Sequence, residues 1–195
     1  MATRASRRLP ARDRILRVAR RLLAKYGHER LSLRAVARNA GFAPSSLYEH
    51  FEDRRALLEA LALRALAELR DSISVVCHAD VPATVRLVNA AMAYLEFASQ
   101  RTHEFQLCFS RTQPADQTAL PPHSALLPVA LEIGRALEEG EFVAPPGFDA
   151  LDIAVSLWSQ VHGMAVLRVA YFAELEGFEE KARQLITASI ESWRP

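Results

Sequence analysis

From Ala11 onward, apolar side chains recur at spacings of three and four: Ile15, Val18, Ala19, Leu22 and Leu23. That is the period of one helix face. Tyr26-Gly27 ends the run with a residue able to take positive φ. Ser32 then offers a cap for a short helix that turns Leu33, Val36 and Ala37 inward and Arg34 and Arg38 outward, closed by Gly41. Pro44 stands where a first helical turn tolerates proline, and a second short helix is expected over 44–50. A long helix follows from Arg54, with Leu58, Ala62, Leu66, Leu69 and Ile73 as its stripe and no flexible linker along it. Further helices are predicted over 83–99, 104–110, 124–139, 149–174 and 178–193. Several are separated by Pro114, Pro121-Pro122, Pro145-Pro146-Gly147 and Gly177, residues that punctuate helices.

Composition narrows the class. A chain of 195 residues is one ordinary domain, or one ordinary domain plus a small one. Half its residues are apolar and 24% charged, the globular norm, and only 7 are glycine. So little glycine among so many strong helix formers points to an all-α fold. The charge-free stretch 153–167 is too short to span a bilayer and is broken by Ser156, Ser159, Gln160 and His162. The first thirty residues carry arginines and no apolar leader block. Cys77 and Cys108 form at most one bridge. A soluble, cytoplasmic protein without membrane insertion is expected.

Charge divides the chain. Residues 1–55 hold 14 of the 24 basic side chains and 5 of the 23 acidic ones, a net of +9, which leaves −8 for residues 56–195. Such a split suggests a polyanion-binding segment joined to one that is not; a solvated basic face or a membrane-surface helix has the same composition. Within the basic segment, the two short helices joined by a glycine turn have the form of a helix-turn-helix, whose second helix enters the major groove. A plain three-helix subdomain fits the periodicity equally.

The segment SLRAVARNAGF, followed by APSSLYEHFEDRRALL, resembles the TetR-type transcriptional regulators. The carrying features are the capped helix, Gly41, Leu47-Tyr48, His50-Phe51 and the basic start of the next helix. Further on, LWSQVHGMAVL resembles the Trp…His-Gly helix of one subgroup of TetR C-terminal domains. The resemblance implies a helix-turn-helix domain with a basic arm over 1–53 and a helical effector-binding and dimerisation domain over 54–195. It implies that Pro44, Ser45 and Ser46 face the groove and that Tyr48 and His50 touch phosphate. Arg54 occupies the place of a phosphate-binding lysine. Ser32 would add a phosphate contact and Arg34 a groove-edge contact. Ala43 replaces a usual Ser or Thr, and residues 44–46 lack any side chain for bidentate base contacts. Base reading then falls on Arg34, the arm or DNA shape.

Chemistry for catalysis is missing from the sequence. Neither GxG nor GxxxxGK nor GxSxG occurs, and Cys77-His78 are adjacent without further ligand spacing. No metal site, cofactor or enzymatic activity is expected. Trp158 and His162 lie four apart on an apolar helix, so they share a face and are candidates to orient a small apolar ligand; a packed, satisfied core pair has the same spacing. Phe105 and Phe109 either line that cavity or fill the core. The resemblance also implies a dimer interface in the last two helices, with Val166, Ala170, Ile186 and Ile190 as candidates. The expected function is a homodimeric, effector-responsive regulator of the repressor type, bound to a near-palindromic duplex operator. The alternative is an all-helical carrier of hydrophobic ligands whose basic end rests on a membrane surface.

Overall fold

Nine helices and no strand make up the residues described by the computed structural model, 10–109 and 124–195. They are α1 (Ala11–Tyr26), α2 (Leu33–Ala40), α3 (Pro44–Tyr48), α4 (Arg54–Cys77), α5 (Ala83–Gln100), α6 (Thr102–Phe109), α7 (Leu126–Glu138), α8 (Ala150–Ala170) and α9 (Phe178–Glu191). The all-α class read from composition is the class observed. The arm over 1–9, Ser110, Pro114 and Pro121-Pro122 lie outside the described residues.

By packing, the chain forms two compact units. One comprises residues 10–65 together with α6; the other comprises Leu66–Gln100 and the residues from 124 onward. α4 is continuous and contributes to both.

In the first unit, Ile15, Leu23, Val36, Leu47, Phe51, Leu57 and Leu107 meet in one apolar cluster. α6 rests on α1 through a buried carboxylate: Glu104 accepts from Arg20 Nε at 2.9 Å and from Arg101 Nε at 3.1 Å. In the second unit, α8 packs on α5, α7 and α9 around Leu87, Ile133, Leu157, Ile186 and Ile190.

Three sequence expectations shift. α3 ends at Tyr48 rather than residue 50; a turn follows in which the amides of His50 and Phe51 both donate to the Leu47 carbonyl (3.0 and 2.9 Å), and Phe51 is buried in the core. α8 ends at Ala170 rather than residue 174; the Arg168 guanidinium there donates to the Phe172 carbonyl. The stripe expected on α4 holds only in part: Leu66, Leu69 and Ile73 are buried, while Leu58 and Ala62 are half-buried beside a row of Leu57, Leu61, Ala65, Leu69, Ile73 and Cys77. Each step of four residues advances about 40° around the axis, so this row winds along α4 and serves one core in each half.

Candidate nucleic-acid interface and effector cavity

Local chemistry builds the α2–α3 pair. Ser32 is extended and its hydroxyl accepts from the Ala35 amide at 3.2 Å, capping α2. Gly41 takes φ +72 at the other end, a left-handed conformation that favours glycine. Pro44 opens α3 without needing an N–H partner. Two arginines of α1 brace the pair from behind: Arg14 lies 4.7 Å over the Phe42 ring and Arg12 lies 4.8 Å over the Phe51 ring. Asp53 caps α4 by accepting from the Ala56 amide at 2.7 Å.

The outward face of this pair carries Ser32, Arg34, Arg38, Asn39, Ala43, Pro44, Ser45 and Tyr48, all exposed, while Ser46 and His50 are half-buried. Tyr48 is 55% exposed, so its ring stands at the surface and not in the core. Arg54 is otherwise engaged: its Nε donates to the Leu31 carbonyl at 2.8 Å and its Nη2 to the His28 carbonyl at 2.5 Å, which clamps the α1–α2 loop. Arg38 shares the outward face with Arg34, four residues on, and its helical spacing was the available signal.

Trp158 and His162 do share a face of α8. Their rings stack at 5.0 Å and 21°. Tyr94 of α5 supplies what the sequence did not show, its hydroxyl 2.8 Å from His162 Nδ1. A small cavity of about 30 Å³ opens beside them, lined by Leu87, Tyr94, Leu126, Leu157 and Trp158 among others. Phe105 and Phe109 meet at a ring separation of 5.1 Å, tilted by 55°, in the first unit and are not among the residues lining this cavity. A larger cleft of about 300 Å³ lies between the end of α4 and α7, lined by Arg70, Ser74, Cys77, Leu127, Leu131 and Arg135.

Burial pushes the His162 imidazole below its ordinary value of 6.5. Below that value the unfolded chain binds a proton that the folded chain resists, so stability falls as pH is lowered from about 6.5. His162→Gln is expected to flatten this part of the stability–pH curve; an unchanged slope would show that another group sets it.

Both thiols are buried and protonated at neutral pH. Burial raises Cys77 to about 11 and Cys108 to about 12, which suits apolar filling and not nucleophilic chemistry. Among the described residues no three His, Cys, Asp or Glu side chains come together as a metal site.

The expected dimer contacts separate. Val166 is 42% exposed and Ala170 is exposed on α8. Ile186 and Ile190 are instead wholly buried within their own chain, where α9 packs on α5. An apolar row marks a buried face without saying which chain buries it. On α9 the large apolar residue that is exposed is Leu185. α8 also exposes Leu151, Val155 and Leu167. By length and composition α8 is sufficient to cross a bilayer, but its Ile153, Leu157, Val161 and Ala165 are packed inside the second unit.

Residues 15–61 match the family described as bacterial regulatory proteins, tetR family, and residues 87–192 match the tetracyclin repressor-like C-terminal domain. The chain belongs to the TetR family. Among curated relatives, the HTH-type transcriptional regulator UidR of Escherichia coli K12 is 35% identical over 75 residues, 36% of this chain and 38% of that protein. Rv1816 of Mycobacterium tuberculosis H37Rv, also an HTH-type transcriptional regulator, is 36% identical over 74 residues, 36% of this chain and 32% of that one. The matched part thus spans just over a third of UidR. A protein of unknown function from Rhodococcus sp. RHA1 has the same fold over its whole length, with a TM-score of 0.83, 24% identity and coverage of 99% and 100%. A tetR-family regulatory protein from Rhodococcus RHA1 follows at a TM-score of 0.66, 17% identity and coverage of 95% and 98%. For this TetR-family chain, residues 15–61 lie accordingly in the family's N-terminal helix-turn-helix domain, and residues 87–192 in its C-terminal domain.

Proposed function

We propose that the protein is a homodimeric, effector-responsive transcriptional repressor that binds a near-palindromic duplex operator and is released by an apolar small molecule. The observation that carries this reading is the exposed α2–α3 face, held out by the buried Leu47 and Phe51 within the chain's basic segment. A helix of that size fits the major groove, and the surrounding arginines neutralise phosphates. Ser32, Arg34, Tyr48 and His50 are assigned to DNA, with Pro44, Ser45 and Ser46 toward the groove. Arg54 acts through the loop it clamps, with its charge near the backbone. By function the division runs at residue 53, DNA binding before it and effector binding and dimerisation after it.

The second copy covers the outward apolar side of α8 and α9 through Val166, Leu167, Ala170 and Leu185. A two-fold pair then sets two recognition helices about 34 Å apart, one turn of B-DNA. The effector site is the cavity beside Trp158, Tyr94 and His162, an apolar space with few polar groups to orient a ligand. At about 30 Å³ it holds roughly one water, so an effector must part the helices around it. A coupling of about 1–3 kcal/mol changes operator affinity roughly 5–150-fold.

Selection of bound duplexes from a random pool tests the reading. A two-fold symmetric sequence is expected to emerge, bound by a particle of twice the chain mass. With about 6–10 phosphate contacts, its affinity should drop by about 10³–10⁵ between roughly 50 and 200 mM salt. A strictly monomeric protein that enriches no duplex, or that binds anionic liposomes equally well, would sink the proposal and favour the carrier.

A further inference from the structure

The recognition surface is poor in groups that can read a base by two hydrogen bonds. Between Ala43 and Tyr48 the side chains are methyl, pyrrolidine, two hydroxyls, a buried leucine and a phenol. The neighbouring candidates are partly committed elsewhere. Asn39 Nδ2 donates to the Ala35 carbonyl at 2.8 Å. Arg14 is stacked on Phe42, with its Nη2 3.4 Å from the Ala40 carbonyl, and Arg12 is stacked on Phe51. Arg34 and Arg38 remain exposed, but both stand on α2 and not on α3.

What α3 does offer is apolar. Ala43 is exposed and extended (φ −65°, ψ 144°), and makes no side-chain capping bond. Pro44 beside it is exposed too and has no N–H to donate to phosphate. Ser45 completes the outward edge and can bond to any base edge. In the major groove, the base-edge group that rewards an apolar contact is the thymine 5-methyl.

We propose that α3 reads thymine through its 5-methyl group, with Ala43 and Pro44 as the specificity-determining contacts, and that each operator half-site carries thymine beneath them. This rests on the reading of α2–α3 as the duplex-binding face. Guanidinium contacts from α2 then position the protein mostly without discriminating among bases.

The test replaces thymine by deoxyuridine in the selected operator, which deletes the methyl and keeps every hydrogen-bonding group. Removing one buried methyl should weaken binding about fourfold, and removing the symmetric pair about fifteenfold. The same exchange outside the α3 footprint should change little, which controls for altered DNA stiffness. In Ala43→Gly, a substitution a helix-capping position accepts, the penalty for deoxyuridine should shrink at the thymine nearest residue 43. Equal affinity for thymine and uracil duplexes, or a selected half-site with no thymine under α3, would overturn the proposal while leaving duplex binding intact. Failure to bind any duplex would instead remove the underlying reading.

Discussion

Glu132→Ala is expected to lower the stability of the second unit by about 3–5 kcal/mol, the usual consequence of removing one partner from a buried ion pair. The Glu132 side chain is 2% exposed and that of Arg86 is 8% exposed. Glu132 Oε1 accepts from Arg86 Nε at 2.6 Å, and its other oxygen accepts from Arg135. Arg86 is held further by the Val81 carbonyl and lies 3.4 Å from Glu141, whose second oxygen accepts from the Ala83 amide at 3.0 Å. Deleting Glu132 leaves a buried guanidinium with the Val81 carbonyl and the more distant Glu141 carboxylate. Replacing both members, as Arg86→Met with Glu132→Leu, should cost much less, since the charges then left without this pair, Arg135 and Glu141, are 42% and 36% exposed. The only tryptophans, Trp158 and Trp193, both lie in this unit. Urea unfolding followed by their fluorescence therefore reports on it directly. An unmoved midpoint in Glu132→Ala would show that solvent relieves the charge.

Leu47→Ala should cost about 2–5 kcal/mol in the first unit and abolish specific duplex binding. A five-residue helix has no stability of its own; α3 is held out from the surface because Leu47, wholly buried, anchors its inner side. Truncation leaves a cavity beneath the face proposed to meet DNA and frees Ala43, Pro44 and Tyr48 to shift together. Leu47→Met, nearly equal in volume, should keep the affinity. Binding is measured at a temperature where circular dichroism shows each variant folded, so that loss of register is separated from unfolding. Wild-type affinity in Leu47→Ala would mean that α3 is positioned by other contacts.

Local chemistry alone was sufficient for the helix-turn-helix. The Ser32 cap, the left-handed Gly41 and the opening Pro44 each act within a few residues, so their consequences are written in adjacent positions. The same holds for the shared face of Trp158 and His162. Where α3 stops was not readable, because the stop depends on Phe51 finding a core built by α1 and α4. Nor was the first half of the buried row of α4, where Leu57, Leu61 and Ala65 are buried in place of Leu58 and Ala62, whereas Leu66, Leu69 and Ile73 are buried as expected.

Distances along the chain explain the remainder. Tyr94 and His162 are 68 residues apart, and Arg86 and Glu132 are 46 apart; no periodicity links such pairs, and only packing brings them together. Ile186 and Ile190 carry the same lesson in reverse. Their spacing marks a face that leaves water, and the folded chain alone decides that the face closes on α5 and not on a second copy. Hydrophobic burial is proportional to area and indifferent to partner, so the order of residues specifies which elements form, and three-dimensional packing specifies what each one meets.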